Sequence, residues 1–235
     1  MHRFYLTQKL DKEIVIIKER QMVHQFRDVL KLRKGERVAF FNNDPEFVGS
    51  DFIVELKNID GGAANFMLRE RVDNQRESSK KLILYQSLIK KDKFEWILEK
   101  ATEIGVLEIV PMISARSEKK SLNLIRCQNI LKEAAEQSGR AIIPRLHDVL
   151  LFDRALSMAV ASSSKTYFAS VSEKENMIHA VGERAMNVFI GPEGGWEERE
   201  EFAAQRANFQ IISLGRLALR SETAAISATY TLLWG

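Results

Sequence analysis

The sequence predicts an α/β protein in which a mostly parallel sheet, with helices on both faces, follows a small β-barrel. The pattern of apolar and polar residues in the 235-residue chain changes near residue 75. Before that point, short apolar stretches are separated by turn residues, which is typical of antiparallel strands. After it, apolar stretches alternate with amphipathic ones, which is typical of strand–helix units in a parallel sheet. We therefore predict two domains, residues 1–74 and 75–235.

The first domain is predicted to contain four strands and one helix. Apolar residues at every second position, as in Phe52, Val54 and Leu56, indicate a strand with one buried face. The helix covers residues 21–30, where apolar residues share one face. The polar stretch 73–80 is the predicted linker. The four predicted strands are 14–17, 38–41, 51–56 and 64–68.

The second domain is predicted to alternate strands with helices. Asp92 can cap a helix that Gly105 ends, a second helix passes through 130–135, and a last one covers 222–233. In parallel sheets, ligands bind beyond the carboxyl ends of the strands. The predicted strands are 82–89, 107–113, 167–169, 188–190 and 210–213.

Composition narrows the functional classes. The single cysteine, Cys127, cannot form an internal disulfide, which favours a reducing, cytoplasmic compartment. No Cys/His cluster has metal-ligand spacing, and no apolar run is long enough for a signal peptide or a membrane span. We therefore expect no metal and no membrane. The net charge of +3 is a weak indication of an anionic partner.

A glycine-rich turn, IGPEGG at 190–195, directly follows a predicted strand. It is neither a dinucleotide-binding GxGxxG nor a P-loop. Glu193 in the turn, with Glu197 and Glu198 after it, would repel a phosphate. The turn therefore favours a neutral or cationic ligand such as S-adenosylmethionine, and the alternative is a purely structural turn.

Two further turns stand near predicted helix ends. In SLGRLALRSETA at 213–224, Ser221 can be an N-cap. Arg216 and Arg220 flank that turn, where they could hold a phosphate of nucleic acid or pair with nearby acids. In AAEQSGR at 134–140, Ser138 and Gly139 end a helix and leave Arg140 exposed.

Basic residues occur in two clusters, which can track a phosphate backbone or form a solvated face. Two such clusters beside a candidate adenosine site favour RNA. The first cluster is Arg27, Lys31, Arg33, Lys34 and Arg37, and the second is Arg116, Lys119, Lys120 and Arg126.

Taken together, these motifs resemble the RsmE family of 16S ribosomal RNA uridine methyltransferases over nearly the whole chain. One departure is that the family commonly has arginine at the position of Leu217, whereas this chain has it one residue earlier, at Arg216. The stretches that carry the likeness, in family order, are MHRFYL at the start, HQFRDVLKLRKGE (24–36), KFEWILEKATEIGV (93–106), EQSGR (136–140), IGPEGGW (190–196) and LGRLALRSETA (214–224).

The resemblance implies a PUA-like, RNA-binding β-barrel in residues 1–74. It implies a SPOUT methyltransferase domain with a C-terminal trefoil knot in residues 75–235. Family members are homodimers that transfer a methyl group from S-adenosylmethionine to N3 of one uridine in small-subunit RNA. The 16S ribosomal RNA, or the small ribosomal subunit, is then the expected partner.

The same resemblance, with the motifs above, assigns the candidate site residues. The catalytic candidates are Arg220, Arg140 and Glu222. The cofactor-binding candidates are Phe168, Ala169, Ile190, Gly191, Pro192, Glu193, Gly194, Gly195, Leu214, Gly215, Leu219 and Arg220. The RNA-binding candidates are Arg3, Arg27, Lys31, Arg33, Lys34 and Arg116.

Two other functions stay open at this point. A related knotted enzyme could methylate the ribose 2′-oxygen with the same cofactor. A non-catalytic RNA-binding protein could keep the barrel and lose the cofactor site, although the intact GPEGG and LRSETA stretches argue against this.

Overall fold

The computed structural model describes residues 1–179 and 182–235. The chain divides into two compact units. The first is Met1–Glu77 together with Ala135–Ile143, and the second is Ser78–Ala134 together with Pro144–Gly235. The first change of unit lies within the polar stretch 73–80, whereas nothing in the sequence indicated that residues 135–143 belong with the first unit.

The first unit contains a five-stranded sheet in the order β1-β3-β4-β5-β2. β1 and β3 are parallel, and the other neighbours are antiparallel. The four predicted strands are confirmed, and β1 is an addition. β1 and β2 are the two edges of this sheet, and closing it into a barrel would require them to pair with each other. A closed barrel therefore stays a prediction. The strands are β1 (Arg3–Tyr5), β2 (Ile14–Ile17), β3 (Arg37–Phe41), β4 (Ser50–Asp60) and β5 (Ala63–Asp73).

The predicted helix of this unit is helix α1 (Arg20–His24), which continues as a π-helical segment, Gln25–Val29. Its Phe26 is fully buried, and its ring meets that of Phe66 edge-on at 5.2 Å. Phe40 of β3 packs edge-on against the same Phe66 ring at 5.0 Å. Such edge-to-face pairs add to the stabilisation from burial, so these rings form the centre of the core.

The second unit contains a seven-stranded sheet whose paired strands are all parallel. The order is β12-β10-β11-β6-β7-β8, and β9 also pairs with β7. The predicted mostly parallel sheet is therefore confirmed. The strands are β6 (Lys81–Ser87), β7 (Glu108–Ile113), β8 (Arg145–Leu146), β9 (Leu150–Leu151), β10 (Lys165–Ala169), β11 (Ala185–Ile190) and β12 (Gln210–Ile212).

The helices of this part of the chain include the three predicted ones. Gly105 ends α2 with a φ of 111°, as predicted. The predicted N-cap Asp92 is wrong, because Lys90 is the N-cap and Asp92 lies in the first turn. The helices are α2 (Lys91–Ile104), α3 (Leu124–Ser138), α4 (Phe152–Ala161), α5 (Glu198–Arg206) and α6 (Ser221–Trp234).

Helices cover both faces of the parallel sheet. On one face, Tyr85 and Phe189 stack at 4.4 Å and share a cluster with Phe152 of α4 and Ala204 of α5. Successive strand residues point to opposite faces, so the fully buried neighbour Val188 points to the other side. There, α6 packs against β6, β11 and α2.

Across residues 1–179 and 182–235, every helix is too short or too polar to span a bilayer.

Candidate active site

The carboxyl ends of β10, β11 and β12 open on a cavity of about 460 Å³. This is the edge at which parallel sheets bind ligands, and the volume suits a small molecule. Three segments line the cavity, each following one of these strands. They are residues 169–174, 190–196 and 213–224, although not every residue of the three takes part.

The segment after β11 is the glycine turn, and its backbone at Gly191 lies close to the indole of Trp196. A Cβ atom at Gly191 would stand 3.0 Å from the Trp196 indole. Gly195 has a φ of +68°, and its N–H donates to the Pro192 carbonyl at 3.0 Å. Trp196 Nε1 in turn donates to the Ala169 carbonyl at 2.8 Å. The turn is thereby held in place and presents backbone groups to the cavity.

Two acidic residues that follow this turn hydrogen-bond to backbone N–H groups and so stabilise the local structure. Glu197 is the N-cap of α5, and it forms a capping box with Glu200. The buried Glu200 also accepts the Ala115 N–H at 2.9 Å. Glu197, Glu198 and Glu200 do not line the cavity. The predicted repulsion of phosphate by Glu197 and Glu198 therefore does not come from the cavity wall.

The charged residues in the cavity wall balance one another. Glu173 and Glu193 are acidic, whereas Lys174 and Arg220 are basic. The sequence motifs predicted Glu193 and Arg220 for the cofactor site but neither Glu173 nor Lys174, because residues 170–174 carry no motif. Such a wall suits a ligand that carries both signs of charge.

The segment after β12 leads into α6. The predicted N-cap Ser221 is wrong, because Arg220 is the N-cap and Ser221 is the first helical residue. The Ser221 hydroxyl donates to the Gly191 carbonyl at 2.5 Å and accepts from Gln86 Nε2 at 3.0 Å. Arg220 is exposed, lines the cavity, and takes part in no ion pair within the described ranges.

The predicted cofactor residues lie in the cavity wall with one exception. Phe168 is fully buried, and its ring packs on those of Phe189 and Trp196 instead. The predicted residues in the wall are Ala169, Ile190, Gly191, Pro192, Glu193, Gly194, Gly195, Leu214, Gly215, Leu219 and Arg220. The wall also contains residues that the motifs did not single out for the cofactor, among them Ser170, Val171, Trp196, Ser213, Leu217, Ala218, Ser221 and Ala224.

The other two catalytic candidates are held by ion pairs. Arg140 is not exposed as predicted but 5% exposed, and its Nη2 lies 2.8 Å from Glu77 Oε2 within the first unit. Glu222 stands in the first turn of α6, with Oε1 3.3 Å from Lys93 Nζ. Its Oε2 is buried and meets no hydrogen-bond donor in the part of the chain that is described.

The six RNA-binding candidates differ in the exposure of their side chains and in whether an acidic side chain already pairs with them. Arg3 has a side chain only 8% exposed, which pairs with Asp51 and lies 4.6 Å from the Phe41 ring centre, so its guanidinium is already engaged within the protein. Arg27 is exposed but donates to Asp28, and this hydrogen bond lowers the pKa of the Asp28 carboxyl. Lys31, Arg33 and Lys34 are all exposed.

Arg116 is the RNA-binding candidate that touches the cavity segments. It is exposed, and its Nη1 donates to the Gly194 carbonyl at 2.8 Å. Its side chain lies along Gly194, where an added Cβ would meet the Arg116 Cβ at 3.3 Å.

Within the residues that the structure describes, no group of three His, Cys, Asp or Glu side chains is placed to hold a metal ion.

Comparisons with known proteins agree on one family. Residues 76–233 match the model of the RNA methyltransferase domain family. The chain is 29% identical over 234 residues to the ribosomal RNA small subunit methyltransferase E of Rickettsia conorii, covering 97% of this chain and 93% of that protein. The corresponding protein of Mesomycoplasma hyopneumoniae is 34% identical over 164 residues, covering 67% of this chain and 71% of its own length.

A solved structure extends the likeness to the whole fold. It is that of a ribosomal RNA small subunit methyltransferase E from Neisseria gonorrhoeae bound to S-adenosyl methionine. The TM-score is 0.87 at 31% identity, with 97% of this chain and 95% of that chain covered.

Proposed function

Because this chain belongs to the family of ribosomal RNA small subunit methyltransferase E, we propose that it methylates N3 of one uridine in 16S ribosomal RNA. Membership makes it an S-adenosylmethionine-dependent ribosomal RNA methyltransferase. The observation that carries the proposal is the cavity at the carboxyl ends of β10, β11 and β12, which the family's two glycine-containing motifs line.

The cavity fits S-adenosylmethionine. Its volume of about 460 Å³ suits a nucleoside with a short tail, and its balanced charges suit a sulfonium beside an amino acid group. Residues 190–195 and 214–220 would hold the two sides of this molecule through backbone groups. S-adenosylmethionine supplies a methyl group that its positive sulfur already activates for transfer. The protein therefore contributes mainly alignment of the two reactants.

Arg220 is the proposed catalytic residue. Uridine N3 carries a proton, and its loss places negative charge on the neighbouring uracil oxygens. An unpaired guanidinium at the cavity can stabilise that charge, and Arg220 is exposed there. N3 lies on the pairing edge of uracil, so the target base must be unpaired or flipped out to react.

Glu222 is not carried into the catalytic set as the acceptor of the N3 proton, because it does not line the cavity. It stands two residues after Arg220, but its Oε2, which has no donor among the residues described, is buried and therefore not open to a uracil in the cavity. Its Oε1 lies 3.3 Å from Lys93 Nζ, so that oxygen is engaged in an ion pair. Arg140 is not carried into the catalytic set, because its guanidinium is committed to Glu77.

The first unit is the proposed RNA-positioning part. Its exposed Lys31, Arg33 and Lys34 can contact phosphates, and its strands support a PUA-like barrel. The whole-chain likeness to the Neisseria gonorrhoeae structure supports a SPOUT-type trefoil knot in the second unit. By the same family membership we propose a cytoplasmic homodimer that acts on the small ribosomal subunit.

The test is a methyl-transfer assay with labelled S-adenosylmethionine and small subunits from cells that lack this protein. The RNA is digested to nucleosides, and the labelled product is identified by mass. Label in 3-methyluridine is expected. Label in a 2′-O-methyl nucleoside would keep the cofactor and overturn the target atom. Absence of both label and cofactor binding would favour a non-catalytic RNA-binding protein.

A further inference from the structure

We propose that Gln86 and Ser221 are positioning residues that hold together two of the segments lining the cavity, 190–196 and 213–224, and thereby set its affinity for S-adenosylmethionine. The effect on the cofactor rests on the function proposed above. The three residues concerned, Gln86, Ser221 and Gly191, are called the bridge below.

The bridge joins three separate elements at the carboxyl edge of the sheet. Gln86 is fully buried near the end of β6, opposite Ile190 of β11. Its Nε2 donates to Ser221 Oγ at 3.0 Å, at the start of α6. The Ser221 hydroxyl then donates to the Gly191 carbonyl at 2.5 Å, in the glycine turn. Gly191 and Ser221 both line the cavity, one in each of these two segments.

The direction of every hydrogen bond in the bridge is determined. Gln86 Nε2 also donates to the Ser87 carbonyl at 2.9 Å, and a carbonyl can only accept, so the amide cannot be turned round. Ser221 must therefore accept from Gln86. Its single proton is left for Gly191, which is the bond observed.

The carbonyl that Ser221 engages is the only hydrogen-bonding group of its peptide unit. Residue 192 is proline, so the Gly191–Pro192 peptide has no N–H. Ser221 therefore hydrogen-bonds to the only polar group that the Gly191–Pro192 peptide offers. The same hydroxyl fixes the start of α6, and the residue immediately before it is the catalytic candidate Arg220. Loss of the hydroxyl should loosen both the cofactor wall and the guanidinium.

The same sheet contains a second arrangement of the same chemistry that has no contact with the cavity. Asn187 of β11 is fully buried, and its Nδ2 donates to Ser162 Oγ at 2.9 Å. The Ser162 hydroxyl donates to the Ala159 carbonyl at 2.7 Å, at the end of α4. None of these three residues lines the cavity. Ser162→Ala is therefore a control for Ser221→Ala that is matched in hydrogen-bond chemistry, since both remove a serine that links a buried amide to a backbone carbonyl, whereas Ser162 itself is exposed and Ser221 is buried.

The experiment measures S-adenosylmethionine binding by calorimetry and melting temperature for the wild type, Ser221→Ala, Ser221→Thr and Ser162→Ala. Ser221→Ala is expected to weaken binding about tenfold, the equivalent of one hydrogen bond. Ser221→Thr keeps a hydroxyl and is expected to bind within about twofold of the wild type. Ser162→Ala should lower the melting temperature and leave the affinity within about twofold.

A directional variant tests the role of Gln86. Gln86→Glu keeps the shape but makes the group an acceptor, which draws the Ser221 proton away from Gly191. It is expected to weaken binding as Ser221→Ala does. Wild-type affinity in both variants would overturn the proposal. So would equal weakening in Ser162→Ala, which would show a general loss of stability, or in Ser221→Thr, which would show an effect of shape.

Amide hydrogen exchange in the ligand-free protein tests whether the bridge holds the glycine turn in place, independently of cofactor binding. Ser221→Ala should speed exchange of the amides at residues 193–196, and Ser162→Ala should not. Unchanged exchange in Ser221→Ala would refute the bridge even if the wild type binds S-adenosylmethionine. A wild type that fails to bind it would refute the proposed function, while the exchange result would still decide whether the bridge exists.

Discussion

Arg220 and Arg140 follow similar turn-forming stretches, yet the fold gives them opposite surroundings. Arg220 is exposed at the cavity and has no ion pair in the described part of the chain. Arg140 is buried, and both Nε and Nη2 donate to Glu77, at 3.2 and 2.8 Å. The role of an arginine therefore depends on whether the fold brings an acidic side chain next to it, which the local sequence does not reveal.

The two surroundings imply different energetics. Removing one member of a buried ion pair leaves the other charge without compensation, which costs stability. Removing an exposed, unpaired guanidinium costs little stability and abolishes whatever that charge does for a ligand. Arg220 should therefore matter to turnover and Arg140 to folding.

The largest expected effect is that of Arg220→Ala on catalysis. Loss of a guanidinium that stabilises charge on the uracil oxygens should lower kcat about 100-fold. Melting temperature should stay close to that of the wild type, because no ion pair is broken. Steady-state methylation of small subunits and a thermal melt measure both quantities. Full turnover in the variant would remove Arg220 from the catalytic role.

Arg140→Ala should have the reverse profile. The uncompensated Glu77 carboxylate should lower the free energy of unfolding by about 3 kcal/mol. Urea denaturation followed by circular dichroism measures this loss. Glu77→Gln keeps the shape of the partner and should destabilise by less. Wild-type stability of Arg140→Ala, combined with lost turnover, would return Arg140 to the catalytic set.

Unpaired cations in the first unit should matter to RNA affinity. Reversing Lys31, Arg33 and Lys34 to glutamate should weaken RNA binding more than about tenfold and reduce the slope of log affinity against log salt by about 2. A control protein with Lys9, Lys12 and Lys18 reversed has the same net charge, and its cations are also exposed. Equal losses in the two proteins, measured by filter binding over a salt series, would show a general charge effect instead of a site.

The smallest effect concerns an arginine that is paired but close to the surface. Hydrogen bonds from Arg69, and then from Lys57, lower the pKa of Glu55 from 4.5 to about 2. Because the folded pKa is the lower one, this pair stabilises the fold above pH 4.5 and loses its contribution as the pH falls towards 2. The difference in melting temperature between the wild type and Glu55→Gln should therefore shrink between pH 6 and pH 2. A constant difference would contradict the assigned pairing.

Local patterns were enough to predict the parallel sheet and most of the cavity wall. Strand residues are apolar runs, and the turns that follow β11 and β12 carry glycine, so both signals lie within a few neighbouring residues. Because parallel strands end at one edge, two such turns had to meet there. Prediction failed where a residue's environment is supplied from far along the chain.

Three failures share that cause. The acid opposite Arg140 lies 63 residues earlier, so its burial could not be read from the EQSGR stretch. Ser221 looked like an N-cap, but its hydroxyl serves Gly191 and Gln86, which are distant in sequence. Lys174 joins the cavity from a segment without any motif, and only the position of β10 in the sheet brings it there.

Amide hydrogen exchange of the wild type with and without S-adenosylmethionine tests most directly whether the cavity at the ends of β10, β11 and β12 binds the cofactor. We expect slower exchange with the cofactor in residues 190–196 and 213–221, and unchanged exchange in the basic segment 31–37 of the first unit. Protection confined to residues outside these two wall segments, with none inside them, would contradict the assignment of this cavity as the cofactor site.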